Sequence, residues 1–483
     1  MTTAPTTLEQ LRARHGERYK WLVLGTVMVG TMASFMASTI VNVAVPELSR
    51  YFILTQERAQ WLSAAFLVAM IPALSVTPWL LQRYGLRRTY VAANLLLMAS
   101  SVVGGLSGNF ELLIAMRAAE GIACGILQPI PAIVIMRAFV PGEQGRAIGY
   151  FGLGVVLAPA LGPSLGGFLV EHFGWRSIFF VVIPFGLAAL ALTRVFLPVV
   201  SAFVQEKKPL DRTGLVLVSV ATVLLLNGLA DLNRAGSLQP WILIGVGIAA
   251  MVAFVLYEIR VPEPLLRMRL FSHGSFLVGA MVSFIYGFGI FGSTYLLPVF
   301  LQMALEYTPS QAGLVLLPAG LALAFTMPVA GRLADVLAPA PLVVFGVLLL
   351  VLSLVLTAHV TETSAYAAVI AWVVIGRIGL GIIHPALSIG TVRGLPPGDL
   401  AQAMSMSSFV RQLGGAFGVS LAGVLLDWRL TLNGVEDTDP QAPGMIVAFE
   451  ETFLCLAAVS AAAALAAGFL GRQPRLLRKS QGG

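Results

Sequence analysis

The sequence is short of charge. Only 11% of its 483 residues are Asp, Glu, Lys or Arg, where a soluble globular chain carries about 25%. A water-facing surface cannot be built from so few charges, which excludes a soluble enzyme of this length. With 58% hydrophobic residues, intrinsic disorder is excluded as well. The net charge of +7 is spread thinly and forms no basic patch, so no nucleic-acid partner is expected. Two cysteines, Cys124 and Cys455, both inside apolar runs, make no disulfide framework and no metal site. The 49 glycines follow no three-residue period, so the chain is not collagen-like. No Gly-Lys-Ser/Thr phosphate loop is present, which removes an ATP-driven pump. The longest polar stretches, about 201–212, 258–274 and 427–449, leave no room for an appended soluble domain, and no enzyme activity is expected.

What the chain has is long apolar runs. They lie at 21–44, 60–81, 89–107, 111–136, 147–170, 177–199, 213–230, 241–257, 275–301, 310–331, 340–358, 366–389, 403–426 and 450–471. Each is long enough to cross the hydrocarbon as a helix, which takes about 20 residues. The runs are continuous and do not alternate, which argues against a barrel. The first run is too long for a signal peptide and follows Arg12, Arg14, Arg18 and Lys20. The expected class is an all-α polytopic membrane protein with about fourteen spans. With the N-terminus inside, 22 Lys and Arg fall on the cytoplasmic side against 5 outside, which puts both termini in the cytoplasm.

An internal repeat sharpens this. Arg117-Ala-Ala-Glu-Gly121 and Arg377-Ile-Gly-Leu-Gly381 are 260 residues apart, and each helix later meets a proline, Pro129 or Pro385. Paired glycines follow each: Gly162, Gly166 and Gly167 after the first, Gly414, Gly415 and Gly418 after the second. The repeat implies a cytoplasmic arm (1–20), a six-helix bundle (21–199), a linker with two extra helices (200–274), a second six-helix bundle (275–471) and a cytoplasmic tail (472–483). Such repeats are typical of secondary transporters, whose substrate path runs between the halves.

An ionisable side chain in hydrocarbon costs several kcal/mol and marks a partner or a water-filled cavity. Five such residues lie deep in spans: Arg117, Glu120, Arg377, His384 and Arg411. Glu120 alone among them is acidic. It shares a helix face with Arg117, Cys124 and Gln128. It reads either as a proton-coupling or cation-binding carboxylate or as half of a static pair with Arg117. Arg377 and Arg411 read either as cavity charges that orient an anionic group or repel a cation, or as helix-end or snorkelling arginines that bond freed carbonyls. His384, before a proline, reads either as a titrating group or as a satisfied core histidine. Phe284, Phe288, Phe291 and Tyr295 form an aromatic stripe, read as a wall for a flat lipophilic substrate or as ordinary packing. Tyr286 falls on another face. Asn42, with Thr31, Ser38 and Thr39, adds polar points to the first span. Gly162, Gly166 and Gly167 allow close backbone approach, and Pro159 and Pro163 bend the same helix.

These residues carry a resemblance. Ser38-Thr-Ile-Val-Asn-Val-Ala-Val-Pro46, Arg83-Tyr-Gly-Leu-Arg-Arg88, Arg117-Ala-Ala-Glu-Gly121, Ala158-Pro-Ala-Leu-Gly-Pro-Ser-Leu-Gly-Gly167 with Gly174-Trp-Arg176, Gly394-Leu-Pro-Pro397 and Arg411-Gln-Leu-Gly-Gly415 resemble segments of the major facilitator superfamily. More closely, they are similar to the fourteen-span EmrB/QacA-type drug:proton antiporters. The resemblance implies that Arg83, Gly85, Arg87 and Arg88 latch the cytoplasmic side, that Gly331-Arg-Leu-Ala-Asp335 is a second copy of that latch, and that the motif around Gly162, Pro163, Gly166 and Gly167 seals the cavity. It also implies a bacterial inner membrane and, in some members, a periplasmic adaptor and an outer-membrane channel. Four positions depart from the family pattern, one of them Pro78, at the leading Gly position of the loop motif. Ala37 stands where the first span usually has a proton-coupling Asp, Gln82 where the loop motif has an Asp, and Glu120 where the fourth span usually has Gln. The expected activity is export of lipophilic compounds by proton antiport, with Glu120 and Arg117 in the coupling role and no cofactor beyond the proton gradient. The alternatives are a carrier of organic anions or metabolites and a non-transporting membrane receptor.

Overall fold

In this computed structural model the described residues are 15–54, 56–197, 209–230, 232, 238–361, 363–435 and 444–470. The side chains of residues 56, 57, 60, 158–161, 163, 164, 309 and 310 are outside the description. So are most of the expected cytoplasmic arm and the expected tail, and the side chains of Pro159 and Pro163.

The described residues form helices and no strand. In chain order they are α1 (Tyr19–Tyr51), α2 (Gln56–Leu106), α3 (Phe110–Leu127), α4 (Ile130–Ala138), α5 (Gln144–Phe173), α6 (Ser177–Phe180), α7 (Val182–Phe196), α8 (Arg212–Ala230), α9 (Gln239–Arg260), α10 (Gly274–Met303), α11 (Pro309–Val336), α12 (Pro339–Ala358), α13 (Tyr366–Val392), α14 (Leu400–Leu432) and α15 (Gly444–Ala467). Helix satisfies every backbone polar group within one segment, the requirement that hydrocarbon imposes. The starts are built locally. Asn109 accepts the amides of Glu111 and Leu112 at the start of α3, and Thr308 and Gln311 form a reciprocal capping box on α11. The outward residues of α9 are apolar, Trp241, Ile242, Val246, Val252 and Leu256 among them, as a lipid-facing helix requires.

Twelve stretches among the described residues are long and apolar enough to cross a membrane, where the sequence leads one to expect about fourteen. Two expected runs, 60–81 and 89–107, fall within the single stretch Trp61–Leu106. That stretch is broken at Gly85, whose φ of 79° lies outside helical space and is accessible at low cost only to glycine. A third expected run, 147–170, falls within α5, some of whose side chains are outside the description.

The chain divides into two compact units. Unit 1 comprises 1–140, 154–223 and 250–267, and unit 2 comprises 141–153, 224–249 and 268–483. Three of the five boundaries fall inside α5, α8 and α9. In unit 1, α2 packs along α3, and α1 packs on α7 and α3. In unit 2, α10 packs along α14, and α13 packs on α11 and α12. Glycines set these seams. A Cβ at Gly121 or Gly125 would overlap the Phe66 or Met70 carbonyl of α2. A Cβ at Gly414 or Gly418 would overlap the Phe284 or Phe288 carbonyl of α10. Without a solvent to drive burial, close backbone approach supplies the association.

The 260-residue repeat appears as geometry. Gly121 of α3 meets Phe66 of α2, and Gly381 of α13 meets Thr326 and Leu323 of α11. Phe66 and Thr326 are themselves 260 apart in the sequence.

Candidate functional site

In unit 1 the centre of α3 carries a closed polar cluster. Arg117 and Glu120 are each 1% exposed. Three residues apart on a helix, they stand on neighbouring turns, and Arg117 Nη1 donates to Glu120 Oε2 at 2.5 Å. Ser101 of α2 donates its hydroxyl to Glu120 Oε1 at 2.6 Å. Arg117 Nε donates to the Leu62 carbonyl at 2.9 Å, and Nη1 also donates to the Ala37 carbonyl at 3.1 Å. The guanidinium stands 4.6 Å from the Phe66 ring centroid, a cation–π contact. Its Nη2 is buried with no partner among the described residues. Cys124, one turn on, donates to the Ser34 carbonyl at 3.5 Å. Gln128 is buried at the end of α3. Asn42, on an exposed face of α1, accepts from Ser63 at 2.8 Å.

Unit 2 holds the other deep charges, and they are arranged differently. Arg377 of α13 donates to Thr294 Oγ1 of α10 at 3.1 Å. Arg411 Nη1 of α14 lies 3.4 Å from His384 Nδ1 of α13, and the His384 ring stacks on Tyr286 of α10, with centroids 5.9 Å apart. Leu380 stands where the repeat would put the counterpart of Glu120. Among the described residues no carboxylate pairs with either arginine.

The aromatic stripe lies along the α10–α14 seam. Phe284 meets Phe417 at 5.8 Å between centroids, Phe288 is buried, and the Phe291 ring fills the space that a side chain at Gly415 would need. Only Phe291 and Tyr295 keep an open face, at 39% exposure each.

The basic residues of the loop after the first half of α2 have local partners. Arg83 lies over Trp79 and Tyr84, Arg87 donates to the Leu197 carbonyl, and Arg88 is exposed. Asp335 of α11 is better engaged. It accepts the Gly145 amide at 2.6 Å and the Arg146 amide at 2.8 Å, so a carboxylate caps the N-terminus of α5, where the helix dipole favours negative charge. Beside it, Arg332 donates to the Tyr150 hydroxyl at 2.9 Å. Gly162 and Gly166 of α5 bring that helix against Thr39 and Ile40 of α1. No group of three or more potential metal ligands occurs among the described residues.

The family model described as Major Facilitator Superfamily matches residues 27–419, and again 279–481. The chain belongs to the Major Facilitator Superfamily. It is therefore a multi-pass membrane protein of a transporter family. It is similar to the Multidrug resistance protein B homolog of Mycobacterium tuberculosis (strain ATCC 25618 / H37Rv), 31% identical over 84% of this chain and 77% of that protein. It is similar as well to the Multidrug export protein EmrB of Escherichia coli (strain K12), 27% identical over 87% of this chain and 83% of that protein. A solved superfamily structure, the proton:xylose symporter XylE, shares the fold with a TM-score of 0.65 at 14% identity, over 94% of this chain and 96% of that one.

Several contacts of these side chains are not readable from helix faces. Ser101 sits in a small-residue stretch with no motif around it. Thr294 and Tyr286 lie on α10 outside the stripe. The amides that Asp335 caps are 190 residues away in sequence. Superposing the two halves at a 260-residue offset exposes one signal, the replacement of Glu120 by Leu380.

Proposed function

We propose that the chain is a secondary exporter of small lipophilic compounds, driven by proton antiport through alternating access. The observation that carries the reading is the carboxylate at the centre of α3. Glu120 lies near the middle of an 18-residue helix, fully buried, with Arg117 and Ser101 on its two oxygens. The similarity to proteins named for multidrug export supports the transport side.

Ala37 occupies the place of the span-one acid usual in the resembling family, and its carbonyl is one of the acceptors of Arg117. The negative charge that would face Arg117 from α1 is supplied by Glu120 on α3 itself. A proton arriving on Glu120 Oε2 breaks the ion pair. Arg117 then keeps the Leu62 and Ala37 carbonyls and the Phe66 ring. The cluster so has two states of different charge, the minimum that coupling needs. The Asp335 cap on α5 ties a segment of the first half of the sequence to the second and acts as a cytoplasmic latch. The Lys and Arg bias supports cytoplasmic termini in a bacterial inner membrane.

The test is flux in proteoliposomes under an imposed pH gradient, with anionic, neutral and cationic pyrene derivatives as cargo. Wild type is expected to move at least one of them against its gradient and to carry protons the other way. Glu120→Gln is expected to keep downhill movement and lose the pH dependence. Full coupling in Glu120→Gln removes the carboxylate from the proton role.

A further inference from the structure

The deep charges of unit 2 have no use in proton coupling through Glu120, and they are expensive. A buried cation without a counter-ion costs several kcal/mol. Arg377 is the twelfth residue of 27 in α13 and Arg411 the twelfth of 33 in α14, too far from either helix end to snorkel to an interface. Arg411 reaches the His384 ring that stacks on Tyr286, and the Tyr286 hydroxyl donates to the Leu380 carbonyl, three residues after Arg377, at 3.5 Å.

Their hydrogen-bonding capacity is nearly unspent. A guanidinium has five N–H donors. The described residues take one N–H of Arg377, through Thr294, and engage Arg411 once, at His384. The remaining nitrogens are not among the sealed, unpartnered polar atoms, where Arg117 Nη2 does occur. The free donors of unit 2 therefore keep some exposure. The orphan donor of unit 1 does not.

Two half-open aromatic side chains lie on the same helix as Thr294. Phe291 stands one turn before Thr294 on α10, Tyr295 is the next residue in the chain, and both are exposed members of the stripe.

We propose that Arg377 and Arg411, with His384, Tyr286 and Thr294, bind the anionic group of the cargo, a carboxylate or sulfonate on an aromatic frame that rests on Phe291 and Tyr295. The inference rests on the reading of the chain as a carrier and names its substrate class. Planar guanidinium donors match the two oxygens of a carboxylate, and such charge-assisted bonds are about twice as strong as neutral ones. The missing counter-ion of the bundle is then the substrate itself.

Equilibrium binding tests this without requiring transport. The full chain in nanodiscs of zwitterionic lipid, so that no lipid headgroup supplies the anion, is titrated with three fluorescent probes: 4-(1-pyrenyl)butyrate, its methyl ester and a pyrenylmethyl-trimethylammonium ion. The butyrate is expected to bind at least about tenfold more tightly than the other two. Arg377→Gln and Arg411→Gln are each expected to weaken the butyrate by about tenfold, to leave the ester unchanged, and to show wild-type elution on size exclusion. Arg411→Lys is expected to keep part of the preference. Equal binding of the three probes by wild type overturns the proposal, whatever the variants do. So does butyrate binding that both Gln variants retain, and so does the absence of any binding up to millimolar concentration. Anion-selective binding without proton-driven flux removes the exporter reading and leaves the site. Proton-driven flux without anion preference removes the site and leaves the exporter.

Discussion

Arg117 and Arg377 occupy equivalent places in two halves of one sequence. Each lies four residues before a glycine that seats its helix against a neighbour, Gly121 on Phe66 and Gly381 on Thr326. The residue three positions on decides what each arginine does. In unit 1 it is Glu120, and the guanidinium is spent on a carboxylate, two carbonyls and a ring. In unit 2 it is Leu380, and the guanidinium keeps most of its donors. Two bundles with matching seams so hold one closed charge pair and one open charge. A buried pair that is complete stabilises or switches; a buried charge that is incomplete waits for a partner.

The largest expected effect comes from opening the closed pair. Glu120→Ala leaves Arg117 buried with no counter-ion and adds a cavity beside Ser101. Removing one partner of a buried ion pair costs about 3–5 kcal/mol, so the thermal midpoint of the detergent-solubilised protein is expected to fall sharply. The double variant Arg117→Met, Glu120→Leu removes both charges and is expected to recover part of the loss, because the two sites share one interaction. If Glu120→Ala melts with wild type, unit 1 does not depend on the pair, and the contrast between the units fails on that side.

A smaller effect is expected from closing the open charge. Leu380→Glu writes the arrangement of unit 1 into unit 2, an acid three residues after Arg377 on the same helical face. Both arginines remain, yet an internal carboxylate now competes with any anionic cargo. The affinity for the pyrene butyrate is expected to drop about tenfold, which is about 1.4 kcal/mol, with the ester unaffected. Unchanged butyrate affinity would mean that the charge of Arg377 is not what the cargo reads.

Much of this architecture is legible in the sequence. Scarcity of charge and continuous apolar runs identify helices in a membrane, and spacing alone joins Arg117 to Glu120. Other features escape for reasons of geometry. Helix spacing says which residues share a face but not which neighbour that face meets. The stripe Phe284, Phe288, Phe291 and Tyr295, one reading of which is a substrate wall, lies along α10 where the glycines of α14 draw it into a seam. Tyr286, on a different face from the stripe, is the residue that stacks on His384. Asp335 is legible as a latch fragment, but the amides it caps are remote in sequence, so its target is not. The break at Gly85 depends on a backbone angle, and hydropathy shows only two apolar runs on either side of it.

The smallest expected effect is the most discriminating. Arg411→Met removes a half-buried cation that no carboxylate balances, so no partner is left stranded. Its main-chain carbonyl, which faces Gly287, is untouched by the change. Methionine is unbranched and adapts to irregular space, and removal of an uncompensated charge is neutral or stabilising. His384 loses one long contact and keeps its stack on Tyr286. The unfolding free energy is expected to fall by no more than about 0.5 kcal/mol below wild type, in the same assay where Glu120→Ala is expected to lose several. A loss of similar size at Arg411 would show that the fold holds both arginines for its own stability. In that case the two units treat their deep charges alike, and the open donors of unit 2 are not reserved for a ligand.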